Sequence, residues 1–177
     1  MILNSCAGII TPMKFSTSAV QTSYDSPLGL IILAASDNKL IGVWFDGQRH
    51  QPDPSAWPIA PAQTVLKQAT AQLTEYFAGR RTIFELPLDL SSGSIFQQAV
   101  WRALQKIPYG ATRSYGALSA DIGRPTAVRA VGAAVGRNPF SIIVPCHRVL
   151  GSGGALTGYA GGLERKTALL QLEGGRR

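Results

Sequence analysis

The stretch SYGALSADIGRPTAVRAVGAAVG, residues 114–136, decides how the second half of this chain folds. Ser114 offers a side-chain oxygen where a helix N-cap would stand, and Gly123 follows Ile122 where a helix-ending glycine would stand. These marks predict a short helix over 115–122. The turn Gly123-Arg124-Pro125 then leads to a second helix over 126–136. Two short helices about such a turn have the pattern of a helix-turn-helix, which many helical hairpins share without touching DNA. The second helix has little bulk: from Ala127 to Gly136 it holds four alanines, three valines, two glycines and Arg129. Such a helix either packs tightly in a core or brings its backbone close to another surface. Arginine is rarely buried unpaired, so the first reading leaves Arg129 without a role. A helix that approaches an outside surface with one projecting arginine explains both features.

Upstream, Ser94 and Gln97 have the spacing of a capping box. The helix they open runs through Phe96, Val100, Trp101, Leu104 and Ile107, and Pro108-Tyr109-Gly110 ends it. Ser91-Ser92-Gly93 reads as a domain joint. Before it, two β-rich apolar runs, Leu28 to Ala35 and Lys39 to Phe45, flank a hairpin turn at Ser36-Asp37-Asn38. Val20 to Tyr24 suits a preceding strand, and four prolines between Gln51 and Pro61 break regular structure. Helical spacing returns from Gln63 to Ala78, with Gly79 as the stop. Thr82 to Leu90 alternates weakly, as an edge strand or an extended linker. The expected fold is α+β: a small antiparallel-sheet domain over 20–92, then a helical, winged-helix-like domain with the helix-turn-helix over 93–177. Residues 1–19 are expected to form a loose tail, with Met13 an alternative start to Met1.

The net charge of +7 is unevenly placed. Residues 1–92 hold six Lys or Arg against seven Asp or Glu, whereas residues 93–177 hold eleven against three. The second half therefore suits a polyanion such as nucleic acid, or else a solvated basic surface. No apolar run approaches the roughly 18 residues of a membrane-spanning helix. No basic residue precedes Lys14, which argues against a secretory signal. Two cysteines, Cys6 and Cys146, make no disulfide framework, so a reducing, cytoplasmic setting is expected.

The segment Ile142-Ile143-Val144-Pro145-Cys146-His147-Arg148-Val149 places a thiol, an imidazole and a guanidinium between β-prone flanks. A thiol is nucleophilic as its thiolate, and His147 can accept its proton directly or through a water. Neighbours on an extended strand point to opposite faces, so direct cooperation requires a kink, which Pro145 makes plausible. A lone buried cysteine is more often a small hydrophobe, but the adjacent His147 and Arg148 favour chemistry here. His50, in the proline-rich stretch, reads as solvated.

Pro145-Cys146-His147-Arg148 resembles the active-site signature of the O6-alkylguanine-DNA alkyltransferases. The resemblance continues through Ser114-Tyr115-Gly116, Arg129-Ala130-Val131-Gly132, Arg137-Asn138-Pro139 and Thr157-Gly158-Tyr159-Ala160-Gly161-Gly162, spanning Phe96 to Glu173. In the first domain it extends to Tyr76-Phe77-Ala78-Gly79. It implies irreversible transfer of an alkyl group from guanine O6 to Cys146, once per molecule. His147 would relay the thiol proton through a water, Glu173 would orient His147, and Asn138 would order the turn at the cysteine. Arg129 would fill the gap left by a flipped nucleotide, since flipping costs a few kcal/mol. Tyr115 would help to turn its phosphate, while Ala130 and Gly132 would lie against a minor groove only about 6 Å wide. Tyr159, Val149, Ala160 and Gly161 would form the substrate pocket, with Ser141 and Ala160 near the point of substrate choice. The implied partner is double-stranded DNA holding an alkylated guanine, O4-alkylthymine being a possible second substrate. The implied protein is a monomer in solution whose cooperation on DNA the sequence leaves open. No cofactor is implied. Some relatives hold a structural zinc in the first domain, where Cys6 and His50 are too few for a four-ligand site.

Two other readings compete. A DNA-binding regulator without chemistry accounts for the basic half but not for the thiol. A hydrolase built on Cys146, His147 and Glu173 accounts for the thiol but not for Arg129 or the bare helix.

Overall fold

A computed structural model of the chain describes residues 14–174. Three antiparallel strands, β1 (Val20–Ser26), β2 (Gly29–Ser36) and β3 (Lys39–Phe45), form a meander in sequence order. Asp37 and Asn38 join β2 to β3 with φ of 49° and 60°, a two-residue turn whose twist matches that of the strands. The sheet buries both faces. Ile31, Leu33, Leu40, Val43 and Phe45 enter the main core, whereas Ala34, Ile41 and Trp44 form a smaller cluster behind it. Trp44 lies across Gly42 so closely that a Cβ there would sit 1.8 Å from the indole.

The tail expected over 1–19 is anchored at its end. Phe15 packs edge-on against Trp44 and Trp57, and Ala19 is buried. Phe15 offered this outer cluster an aromatic partner that local pattern could not reveal. Cys6, Met13 and the question of the start lie outside the described residues.

Helix α1 (Thr64–Phe77) is capped by the Gln63 side chain and lays Val65, Leu66, Ala69, Leu73 and Tyr76 into the core. It closes with Gly79 at φ 71°, Arg80 N–H donating to Glu75 O and Gly79 N–H to Tyr76 O. Residues 82–90 form an extended arm. It is held to β3 by Leu40 N–H to Pro87 O at 2.8 Å and Asp89 N–H to Leu40 O at 2.9 Å.

The Ser94–Gln97 capping box forms and opens α2 (Ile95–Leu104). The helix stops three residues short of Ile107, because Pro108 disfavours helical geometry in the residue before it. Strand β4 (Arg113–Ser114) precedes α3 (Tyr115–Asp121), which Ser114 caps, and α4 (Val128–Gly136) follows the turn. Helix α4 begins two residues later than expected. Ala127 N–H is engaged by Arg124 O in the turn, and no side chain caps the helix. A parallel two-residue strand β5 (Val149–Leu150) pairs with β4, and α5 (Leu163–Leu172) ends the described chain.

The two halves share one apolar cluster, in which Leu66 and Tyr76 join Trp101, Val131 and Leu169. Beyond the arm, β3 also carries residues 139–141: Val43 N–H donates to Pro139 O and Ser141 N–H to Val43 O, both at 2.8 Å. The first half thus grips the chain just ahead of Cys146. No helix among the described residues is long and apolar enough to cross a membrane.

Candidate active site

The segment 142–149 kinks between its β-prone flanks before entering β5 at Val149. Ile142 has φ 71°, unusual for a β-branched residue, and Ile143 N–H reaches back to Ser141 O. Pro145 has φ −81° and ψ 63°, and Cys146 N–H bonds Val144 O across it at 2.8 Å, the geometry of an inverse γ-turn. Cys146–Arg148 then make one 3-10 turn before β5. This is the kink that the sequence required for the thiol and the imidazole to cooperate.

Asn138 holds the kink. Its Oδ1 accepts from Phe140 N–H at 3.0 Å, and its Nδ2 donates to Val144 O at 2.9 Å and to Cys146 Sγ at 3.1 Å. Cys146 is 5% exposed, and burial raises its thiol pKa, opposed by the Asn138 N–H and by the charge of Lys166.

Behind the thiol lies a sealed polar network. His147 is fully buried, and its Nε2 lies 2.7 Å from Glu173 Oε1. Arg148 Nε donates to Glu173 Oε2 at 2.8 Å, its Nη2 to Oε1 at 2.9 Å, and its Nη1 to Ile107 O at 2.6 Å. Tyr76 O–H, from α1, donates to the same Oε1 at 2.7 Å. Burial raises the Glu173 pKa, but the donors from His147 and Arg148 outweigh it and hold it at about 2. Burial lowers the His147 pKa, opposed by Glu173. An ionised Glu173 accepts only, so Nε2 must carry the proton and Nδ1 is left as the basic nitrogen. Nδ1 is buried and has no hydrogen-bond partner among the described residues.

A cavity of about 600 Å³ opens on Cys146. Tyr115, Gly132 and Arg137 line one side, Tyr159 and Ala160 another, and Arg49 and His50 the rim. Burial raises the Tyr159 pKa, opposed by the Ser141 hydroxyl. Val149 and Gly161 do not line this cavity. Val149 lies in the core pairing with Arg113, and Gly161 sits behind Tyr159 and Phe45 with its carbonyl held by Arg165. The small residues there serve wall packing. Ser141 is also buried, bonded to Gln48.

Arg129 and Ala130 stand on the exposed face of α4, opposite Val131, Ala134 and Val135, and Arg129 has no hydrogen bond or ion pair among the described residues. A Cβ on Gly132 would come no nearer than 3.8 Å to Tyr115, and one on Gly136 would meet nothing within 4 Å. Packing inside the protein therefore does not demand these glycines.

His50, read as solvated, is exposed and stands among the residues lining the cavity, where partial burial and the charges of Arg137 and Arg49 lower its pKa. One site residue, Lys166, escaped the sequence reading. Lys166 is fully buried, donating to Val149 O at 2.6 Å, Thr157 O at 2.8 Å and Gly158 O at 3.2 Å, and burial lowers its pKa to about 8. Helical spacing held its signal, since Lys166 shares one face of α5 with Leu169, Leu170 and Glu173. Among the described residues no group of three or more His, Cys, Asp or Glu side chains could hold a metal ion.

This arrangement can lower the cost of a thiolate at the base of a cavity. Residues 19–90 match the ribonuclease-like domain of 6-O-methylguanine DNA methyltransferase, and residues 95–175 match its DNA-binding domain. The methylated-DNA–protein-cysteine methyltransferase of Mycolicibacterium paratuberculosis is 52% identical over 84% of this chain and 88% of its own length. That of Methanosarcina acetivorans is 47% identical over 85% of this chain and 96% of its own. The crystal structure of the O6-methylguanine methyltransferase of Mycobacterium tuberculosis superposes with a TM-score of 0.81 at 48% identity, covering 90% of this chain and 94% of that one. That of the M. tuberculosis OGT in complex with DNA gives 0.79 at 49%, covering 86% and 91%. With both halves matched and the thiol network in place, the chain belongs to the 6-O-methylguanine DNA methyltransferase family.

Proposed function

We propose that the protein repairs DNA by direct reversal, moving the alkyl group of an O6-alkylguanine onto Cys146 in a single, irreversible turnover. The observation that carries this reading is the buried thiol at the foot of an open cavity, held by Asn138 and backed by an imidazole whose free nitrogen is basic. The thiol proton passes through a water to His147 Nδ1, and Glu173 stabilises the imidazolium. The thiolate attacks the alkyl carbon, a C–S bond forms and the C–O6 bond breaks. The electron pair stays on the guanine, which takes back one proton, and the thioether ends the protein's use.

The partner is duplex DNA, whose damaged nucleotide must leave the stack to reach Sγ. Arg129 fills the vacated space, Tyr115 guides the phosphate, and Ala130 and Gly132 let α4 lie close to the minor groove. Tyr159 and Ala160 face the flipped base. The division into domains at 20–92 and 93–177, a monomeric solution state and a cytoplasmic setting belong to the same reading. The test is mass spectrometry after incubation with a duplex containing O6-methylguanine. One methyl per molecule, on Cys146 alone, is expected; sustained turnover or an unmodified Cys146 would refute the mechanism.

A further inference from the structure

Tyr76 belongs to α1, in the half of the chain that supplies neither the thiol nor the cavity's base. Its side chain is fully buried, and its hydroxyl donates to Glu173 Oε1, 97 residues away in sequence, at 2.7 Å. The ring needs no hydroxyl to pack, being surrounded by Phe77, Phe84 and Tyr109 at centroid distances of 5.4 to 6.1 Å. The hydroxyl therefore has a separate task. Oε1 is the oxygen that faces His147, and it receives Tyr76 O–H, His147 Nε2 and Arg148 Nη2 together. Each added donor withdraws electron density from that oxygen and weakens its pull on the imidazole proton.

We infer that Tyr76 is a positioning residue of the relay: its hydroxyl fixes the Glu173 carboxylate and limits how strongly that carboxylate stabilises the His147 imidazolium, so that His147 stays neutral and able to accept the thiol proton. The first half thereby tunes the reaction as well as supporting it. The other charged or titratable groups around the relay are Arg148 beside the carboxylate, Tyr109 from the turn after α2, Lys166 from α5 and Cys146 itself. Tyr109 is the natural control, because its hydroxyl donates to the Leu172 backbone carbonyl rather than to the carboxylate.

This inference rests on the proposed reaction, so its test uses free O6-benzylguanine, which needs no DNA contact, and follows the rate of Cys146 alkylation from pH 5 to 9. Tyr76→Phe keeps the ring and removes the donor. The imidazolium then gains stability, and the acid limb of the profile should move up by about half a pH unit, with a rate up to roughly threefold slower well below the midpoint. Tyr109→Phe should leave that midpoint in place. Replacing Tyr76 by 3-fluorotyrosine, which keeps the hydroxyl and strengthens its donation, should move the midpoint down; it also serves if Tyr76→Phe folds poorly. In a Glu173→Gln background, Tyr76→Phe should no longer shift the midpoint. An unchanged midpoint in Tyr76→Phe and the fluorinated protein, or equal shifts in Tyr76→Phe and Tyr109→Phe, would overturn the role. Failure of the wild-type protein to take up one benzyl group would refute the proposed reaction instead.

Discussion

The network behind the thiol and the helix beside it are built on opposite terms. In the first, the Glu173 oxygens and the Arg148 nitrogens are engaged by donors and acceptors inside the protein, and His147 is closed off from solvent. In the second, Arg129 is exposed and unpaired among the described residues, and Gly132 and Gly136 leave space that the protein does not fill. The polar network is assembled before any partner arrives, whereas the face of α4 keeps an unengaged charge and open space, which suits the recognition role proposed for it. Substitutions in the network should therefore harm reaction and stability together, and substitutions on α4 should harm only reaction with duplex.

The largest effect should come from Cys146→Ser, which removes the acceptor. Transfer measured by mass should fall below detection, while binding to duplex in a gel-shift assay persists. Arg129→Ala comes next: reaction with an O6-methylguanine duplex should slow roughly ten- to a hundredfold, reflecting a flipping cost of a few kcal/mol. Its rate with free O6-benzylguanine should match wild type, and equal losses on both substrates would break the division. Third, Glu173→Gln should lower stability in urea by about 3 kcal/mol at pH 7, since it breaks a buried ion pair and leaves Arg148 uncompensated.

The same network sets a pH dependence. His147 and Glu173 both have folded pKa values below their ordinary 6.5 and 4.5, Glu173 at about 2. Both contributions are present above the ordinary values and are lost as pH falls. Stability should decline below about pH 6.5 and again between about pH 4.5 and 2, and Glu173→Gln should abolish the lower step. The smallest effect should come from Gly132→Ala. Helix propensity predicts a gain of about 0.5–1 kcal/mol in stability, yet reaction with duplex should fall while reaction with the free base is kept. A gain in both would mean that the bareness of α4 serves no partner.

What the sequence disclosed and what it hid divide by range. The hairpin at Asp37-Asn38, the Ser94–Gln97 box and the Ser114 cap were legible because each signal and its consequence lie within a few residues. Local chemistry pointed to Cys146 and His147 and the resemblance added Glu173 and Asn138, and the structure brings all four together. The path of 142–149 was not legible, because it is set by Asn138 from upstream and by the grip of β3 on 139–141, almost a hundred residues away. The carboxylate partner of Arg148 was hidden because it lies 25 residues further along the chain. Helical spacing puts Tyr76 and Lys166 on buried faces, but the partners they reach there, like those of Phe15, lie too far along the chain for local periodicity to report. The resemblance implied a pocket role for Val149 and Gly161, but neither lines the cavity at Cys146: Val149 is in the core paired with Arg113, and Gly161 packs behind Tyr159.

The three-stranded sheet has one further consequence. An exposed strand edge invites pairing with another chain, yet each edge here is partly taken by a segment that is not a strand, at Gln21 on β1 and at Leu40 and Val43 on β3. On β1, Gln21 N–H bonds Pro58 O and Ala60 N–H bonds Gln21 O; on β3, the Pro87–Asp89 arm and residues 139–141 take the free groups there. If each molecule serves once, as proposed, it waits for a single lesion, and the covered edge positions leave fewer free backbone groups through which two waiting copies could pair.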